Sequence, residues 1–196
     1  ISYFFAGNTR APRVVTVYIH GIGGNGKQGV NDHSFGGNFN RIKTLMLKNN
    51  GLYLSPDAEA YGAGVAQRIS AVIQKHTRNV GNRRVILACG SQGGEICHRL
   101  ADNATIAPQL AGILFLGSFW SEKYLTSLAV TAGVPTFIGH GSNDTVFAIE
   151  NMERFYNQIR ETGSPVQMVR FETGTHGTPL RMTDWRRTIN WMMAHK

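Results

Sequence analysis

At 196 residues, with 42% hydrophobic and only 16% charged side chains, the chain has the composition of one globular domain, residues 1–196, with room for a substantial core, and disorder is excluded. The formal charge is +8, yet Lys and Arg are scattered, in pairs such as Arg83-Arg84 and Arg186-Arg187, without the basic run of a nucleic-acid module. A weak attraction to anionic surfaces is expected instead, with no nucleic-acid partner, and no apolar run reaches the length of a membrane span.

In chain order, Ile1–Phe5 reads as an edge strand, and Val14–His20 as a strand rich in β-branched residues. A Gly- and Asn-rich loop then runs from Gly21 to about Asn38, a length that marks functional or disordered loops. Phe39–Lys48 carries Ile42, Leu45 and Met46 on one face and reads as a helix closed by Asn49-Asn50-Gly51. Leu52–Leu54 is a short strand. Ser55 as cap and Pro56 at the first position predict a helix from there to about His76, with Val65, Ile69, Val72 and Ile73 inward.

Val85–Cys89 has the apolar run of a buried parallel strand, and Ile96 and Leu100 recur at i, i+4 beyond it. Ala111–Leu116, Thr136–Gly139 and Val166–Phe171 are further strands. Ser118–Leu128 is a mixed loop or short helix. Val146–Arg160 and Met182–Met193 are amphipathic helices. Strands alternating with helices predict a three-layer α/β/α fold around a mostly parallel sheet of about six to seven strands. Ile1 is not a methionine, which fits a mature form after signal removal or a cut chain. A cytoplasmic and a periplasmic or secreted location both stay open, as does the oligomeric state.

Four motifs stand at strand ends, where open α/β sheets place their sites. Cys89-Gly-Ser-Gln-Gly-Gly94 puts Ser91 on a sharp strand-to-helix turn among small residues, the geometry of a nucleophile elbow. Gly93 and Gly94 are expected where strand and helix pass too closely for a side chain. Asp144 follows the 136–139 strand, and His176 follows the 166–171 strand. A serine hydroxyl is a weak nucleophile until an imidazole takes its proton, and a carboxylate fixes the imidazole's tautomer; Ser91, His176 and Asp144 supply those three groups. His20-Gly-Ile-Gly-Gly24 follows the 14–20 strand, where glycines let the backbone turn an amide toward substrate. Ile22 N–H is expected to pair with Gln92 N–H as the oxyanion hole.

With these motifs in the order Ser, Asp, His, the sequence resembles the α/β-hydrolase superfamily. Cys89–Gly94, His20–Gly23 and His140-Gly-Ser-Asn-Asp144-Thr-Val146 are most similar to the phospholipase/carboxylesterase branch with its acyl-protein thioesterases, with dienelactone hydrolase nearby. The resemblance implies a serine hydrolase of carboxylic esters or thioesters acting through an acyl-enzyme on Ser91, without metal or cofactor. Its substrates would be an ester-bearing small molecule, a lipid or another acylated molecule, bound in an open site with little or no lid. Cys89 and Gly90 depart from the branch's preference, and so does the long 24–38 loop.

The remaining candidates divide between chemistry and structure. Glu122 and Asp102 are rivals to Asp144, Asp102 the poorer for sitting at a helix end. His20 is expected to shape the oxyanion loop, and His98 to face along the elbow helix. His33, His76, His140 and His195 read as surface or turn residues. Gly21, Gly23, Phe119 and Trp120 are candidate substrate contacts, although core packing is the more frequent reason for aromatics. Cys89 and Cys97 are expected as two small buried thiols rather than a disulfide, one ending a strand and the other inside the next helix. Gly21-Ile-Gly-Gly-Asn-Gly26-Lys27 fits a phosphate-loop spacing, but Gln28 stands where Ser or Thr would hold Mg²⁺, so nucleotide binding is the weaker reading. A non-catalytic hydrolase-fold protein that binds an anionic glycan or lipid is the alternative from another class.

Overall fold

The structure is a computed structural model that describes residues 1–195 except Asn79, Asn82 and Arg83. Arg83, of the Arg83-Arg84 pair, therefore lies outside the described residues. Seven strands form one sheet: β1 Tyr3–Gly7, β2 Val15–Ile19, β3 Leu52–Pro56, β4 Val85–Gly90, β5 Leu110–Leu116, β6 Thr136–Gly141 and β7 Val166–Phe171. Their order is β1-β3-β2-β4-β5-β6-β7, with only β1 antiparallel to its neighbour. The chain winds outward from β2 in one direction to β3, and from β4 in the other to β7. The switch point between β2 and β4 is where such sheets open a crevice at their carboxyl ends.

Helices cover both faces: α1 Asn38–Lys48, α2 Ala63–Thr77, α3 Gly93–Ala101, α4 Leu128–Thr131, α5 Ile149–Glu161, α6 Thr178–Met182 and α7 Trp185–Ala194. Alternation along each strand sends Val15, Val17, Leu87 and Phe115 toward α2, α3 and α5. Tyr18, Ile86, Ala88 and Leu114 go the other way, toward α1, α6 and α7. Both faces are thus buried, which is why β4 and β5 read as unbroken apolar runs rather than alternating ones. A three-layer α/β/α arrangement follows from this covering.

Three expected boundaries move, each for a local reason. Ser55 and Pro56 end β3 instead of starting a helix. The buried Ser55 hydroxyl donates to Gly26 O at 2.8 Å and so is turned to the 20–30 loop, not to a helix start. Pro56 lies beyond the β2–β3 ladder, which stops at Leu54, so its missing N–H is not needed there. The helix after Asp144 begins at Ile149 because Asp144 Oδ1 accepts from the amides of Val146 and Phe147, at 2.8 and 3.1 Å, and holds them in a turn. The closing helix begins at Trp185, where Asp184 caps Arg187 N–H, and the short α6 precedes it.

Cys89 and Cys97 form a disulfide, contrary to the two free thiols expected. The elbow folds α3 back beside the end of β4, which brings the two Cα atoms to 6.4 Å, within bridging range. Both residues are fully buried beneath the turn that carries Ser91.

Candidate active site

The turn at Ser91 is built by what its neighbours lack. Ser91 itself has φ 49°, a left-handed conformation rare for a residue with a side chain. A Cβ at Gly93 would lie 2.4 Å from Ile19 O, and one at Gly94 would lie 2.4 Å from Ser118 Oγ. Only glycines let α3 start that close to the ends of β2 and β5. The turn is pinned from outside as well: Ser91 O accepts from Ser118 Oγ and from Phe119 N, each at 2.9 Å.

Three strand ends bring their side chains together. Ser91 Oγ lies 2.9 Å from His176 Nε2, and His176 Nδ1 lies 2.8 Å from Asp144 Oδ2. A carboxylate only accepts, so Nδ1 carries the imidazole proton and Nε2 is left to accept from the Ser91 hydroxyl. The Asp144 side chain is fully buried: Oδ1 takes the amides of Val146 and Phe147 in its own turn, and Oδ2 faces His176 from across the sheet edge. The His176 side chain remains 28% exposed, open to substrate, with the Phe147 ring 5.7 Å away. Glu122 stands in a separate short turn, and Asp102 closes α3, where it accepts from Leu128 N; neither meets His176.

His140 is a correction. It is fully buried rather than a turn residue at the surface, because it sits on β6 one position before that buried strand ends and the chain turns toward Asp144. Its Nε2 lies 2.8 Å from Phe147 O and 3.3 Å from Asp144 Oδ2, both acceptors, so Nε2 carries its proton. His140 thereby steadies the carboxylate and the turn behind it. Sequence reasoning missed it because its burial comes from tertiary packing, though its place four residues before Asp144 was visible.

His20 is buried, with Nδ1 2.9 Å from Gly21 O and Nε2 2.9 Å from Ala58 N. Nε2 must accept from that amide, so Nδ1–H donates to Gly21 O and holds the bend at Gly21-Ile22. The bend passes hard against Ser91: a Cβ on Gly21 would lie 2.4 Å from Ser91 Cβ and 2.9 Å from Oγ. Among the described residues, the amides of Ile22 and Gln92 have no hydrogen-bond partner. Both flank Ser91 in sequence or space.

A cleft of about 220 Å³ opens beside Ser91 and His176, lined by Gly21, Ile22, Gly23, Phe35, Leu116 and Leu180 among others. Phe119 and Trp120 are not part of it. They pack instead with His98 and Phe155 in the aromatic cluster of the opposite helical layer, as core rings do. His98 stacks on Phe115 inside that cluster, 4.9 Å between centroids, and burial pushes its pKa down to about 4. Gln28 and Tyr18 also reach the cleft, joined by a 3.4 Å contact from the Tyr18 hydroxyl to Gln28 Oε1. The phosphate-loop-like stretch therefore feeds the Ser91 cleft. It leads into a three-residue 3-10 turn, not the helix N-terminus that a phosphate loop needs.

A family model described as phospholipase/carboxylesterase matches residues 54–190, more than two thirds of the chain. The chain belongs to this family. Membership makes it a serine hydrolase of the α/β-hydrolase fold. The match takes in Ser91, Asp144 and His176 and stops short of the His20–Gly24 bend. No curated protein matches the chain by sequence. Solved structures of similar fold include the Zea mays acyl-protein thioesterase 2, at TM-score 0.66 and 14% identity over 99% of this chain and 98% of that one. The Bacillus cereus carboxylesterase gives TM-score 0.67 and 14% identity over 99% and 94%. The fluorophosphonate-binding serine hydrolase F of Staphylococcus aureus gives 0.65 and 15% over 94% and 84%. At such identities the likeness to this phospholipase/carboxylesterase-family chain is one of fold.

Proposed function

We propose that the chain hydrolyses carboxylic esters or thioesters through an acyl-enzyme on Ser91. The observation that carries the reading is the unbroken hydrogen-bond chain from Ser91 Oγ through His176 to Asp144. The Ser91 oxygen attacks the carbonyl carbon as its proton passes to His176 Nε2. The carbonyl oxygen becomes an oxyanion held by the free amides of Ile22 and Gln92. Collapse breaks the bond to the alcohol or thiol, which leaves with the proton from His176. Water then attacks the acyl-serine with His176 as base, and the acid departs. Asp144 keeps the proton on Nδ1 and stabilises the imidazolium.

Preorganised amides in such a site each lower the barrier by about 3 kcal/mol. Phe35, Leu116 and Leu180 give the cleft apolar walls, suited to a small acyl or alkyl group, while Gln28 adds one polar contact. Turnover of p-nitrophenyl acetate and butyrate tests the reading. The wild type is expected to hydrolyse both, and Ser91→Ala to fall by at least ~10³-fold. Equal turnover by the two proteins would refute the role of Ser91.

A further inference from the structure

The largest concavity described is not the Ser91 cleft. It lies between α1 and α7 and shares no lining residue with that cleft; its volume is about 620 Å³, and a second concavity of about 510 Å³ abuts it. The two share Leu45, Lys48, Asn49 and Arg186, so they form one continuous groove. Five cations line it: Arg41 and Lys48 from α1, Arg186 from α7, and Arg13 and Arg84 from the starts of β2 and β4. None of the five is ion-paired among the described residues. The single lining carboxylate is Asp184, and its Oδ1 accepts from Arg187 N as the cap of α7. A quarter of the chain's twenty Lys and Arg thus sit together over a hollow, with almost no compensating charge.

We infer that this groove binds a stretch of anionic polysaccharide, a site separate from the Ser91 cleft. Unpaired cations in a concavity focus a positive potential and favour an anionic occupant. The groove's other polar lining includes Asn40, Thr44, Asn49 and Asn190, amides and a hydroxyl that match a hydroxyl-rich chain. Its concave form suits a linear polymer better than a flat bilayer. Its one aromatic, Trp185, is 3% exposed and spends its indole N–H on Asn38 O, so there is no ring for nucleobases to stack on. With Trp185 buried, the groove also offers no exposed aromatic anchor of the kind that centres a protein-binding patch.

The test uses the whole chain and a fluorescently labelled polygalacturonate oligomer, with neutral dextran as reference. The triple variant Arg41→Gln/Lys48→Gln/Arg186→Gln is compared with the charge-matched Arg68→Gln/Lys123→Gln/Arg160→Gln, which lies away from the groove. Polygalacturonate is expected to bind the wild type and dextran not. The groove variant should bind at least about tenfold more weakly, since each exposed ion pair contributes up to ~5-fold. The control variant should bind as the wild type does, and both should keep wild-type turnover of p-nitrophenyl acetate. Equal weakening in the two variants would overturn the inference in favour of diffuse surface charge. Tighter binding of duplex DNA or of anionic phosphatidylglycerol vesicles, lost in the groove variant, would overturn it in favour of those partners. Esterase activity is read separately, so failure here leaves the role of Ser91 standing.

Discussion

Replacing Asp144 by Asn probes the site with almost no change in shape. In the native chain Oδ1 accepts from two backbone amides, Val146 at 2.8 Å and Phe147 at 3.1 Å, while Oδ2 lies 2.8 Å from His176 Nδ1. An asparagine must keep its oxygen toward those two donors, because turning its NH₂ to them would leave three donors facing one another in a buried pocket. Its NH₂ is then forced to the Oδ2 position. His176 Nδ1 has to become the acceptor, the proton moves to Nε2, and Nε2 can no longer take the proton of Ser91. A triad held in that wrong tautomer loses about 10⁴-fold in kcat, near 5 kcal/mol of barrier. His140 Nε2, 3.3 Å from the same Oδ2, also faces the new NH₂ with a proton of its own and adds to the misfit. Steady-state hydrolysis of p-nitrophenyl acetate by Asp144→Asn, with urea melting as a check on folding, measures the loss. A folded variant within tenfold of wild-type kcat would refute the assignment of Asp144 as the group that sets the His176 tautomer.

Two further outcomes follow from the geometry. Gly21→Ala places a methyl 2.4 Å from Ser91 Cβ, so the 20–23 bend must move away and carry the Ile22 amide with it; kcat on p-nitrophenyl acetate should fall ~10²- to 10³-fold, and a fall under fivefold would contradict the placing of that oxyanion donor. His98 has its pKa lowered from the ordinary 6.5 to about 4 by burial. Above pH 6.5 both folded and unfolded chains hold it neutral; as pH falls through that value only the unfolded chain takes up the proton. Stability is therefore lost between pH 6.5 and 4, by about 3 kcal/mol from this group. Urea melts at pH 7, 5.5 and 4 should show a shallower loss for His98→Leu than for wild type, and parallel losses would contradict it.

What could be read from the sequence was what local pattern and spacing determine. The β4–turn–α3 unit was legible because an apolar run, a serine and two glycines all demand the same turn. The strand ends that bear Asp144 and His176 were legible because Pro135 precedes the β-prone Thr136-Phe-Ile of β6, and β7 is built mainly of Val, Met and Phe with polar residues between. Features that depend on a neighbour in space were not. Ser55-Pro56 carries the signature of a helix start, yet the Ser55 hydroxyl is drawn to Gly26 O across the fold. The five residues of α6 are too few to show a helical period. Cys89 and Cys97 looked separated by a strand end and a helix turn, and only the fold-back at Gly93-Gly94 brings them together. His140 looked like part of a polar turn until packing buried it beneath Asp144.

The most direct test of the account is the mass of the intact protein after treatment with a fluorophosphonate, followed by peptide mapping. The account predicts one adduct per chain, on the peptide containing Ser91, formed in the wild type, absent in Ser91→Ala and strongly slowed in His176→Ala. An unlabelled wild type, or an adduct on any other residue, would contradict it.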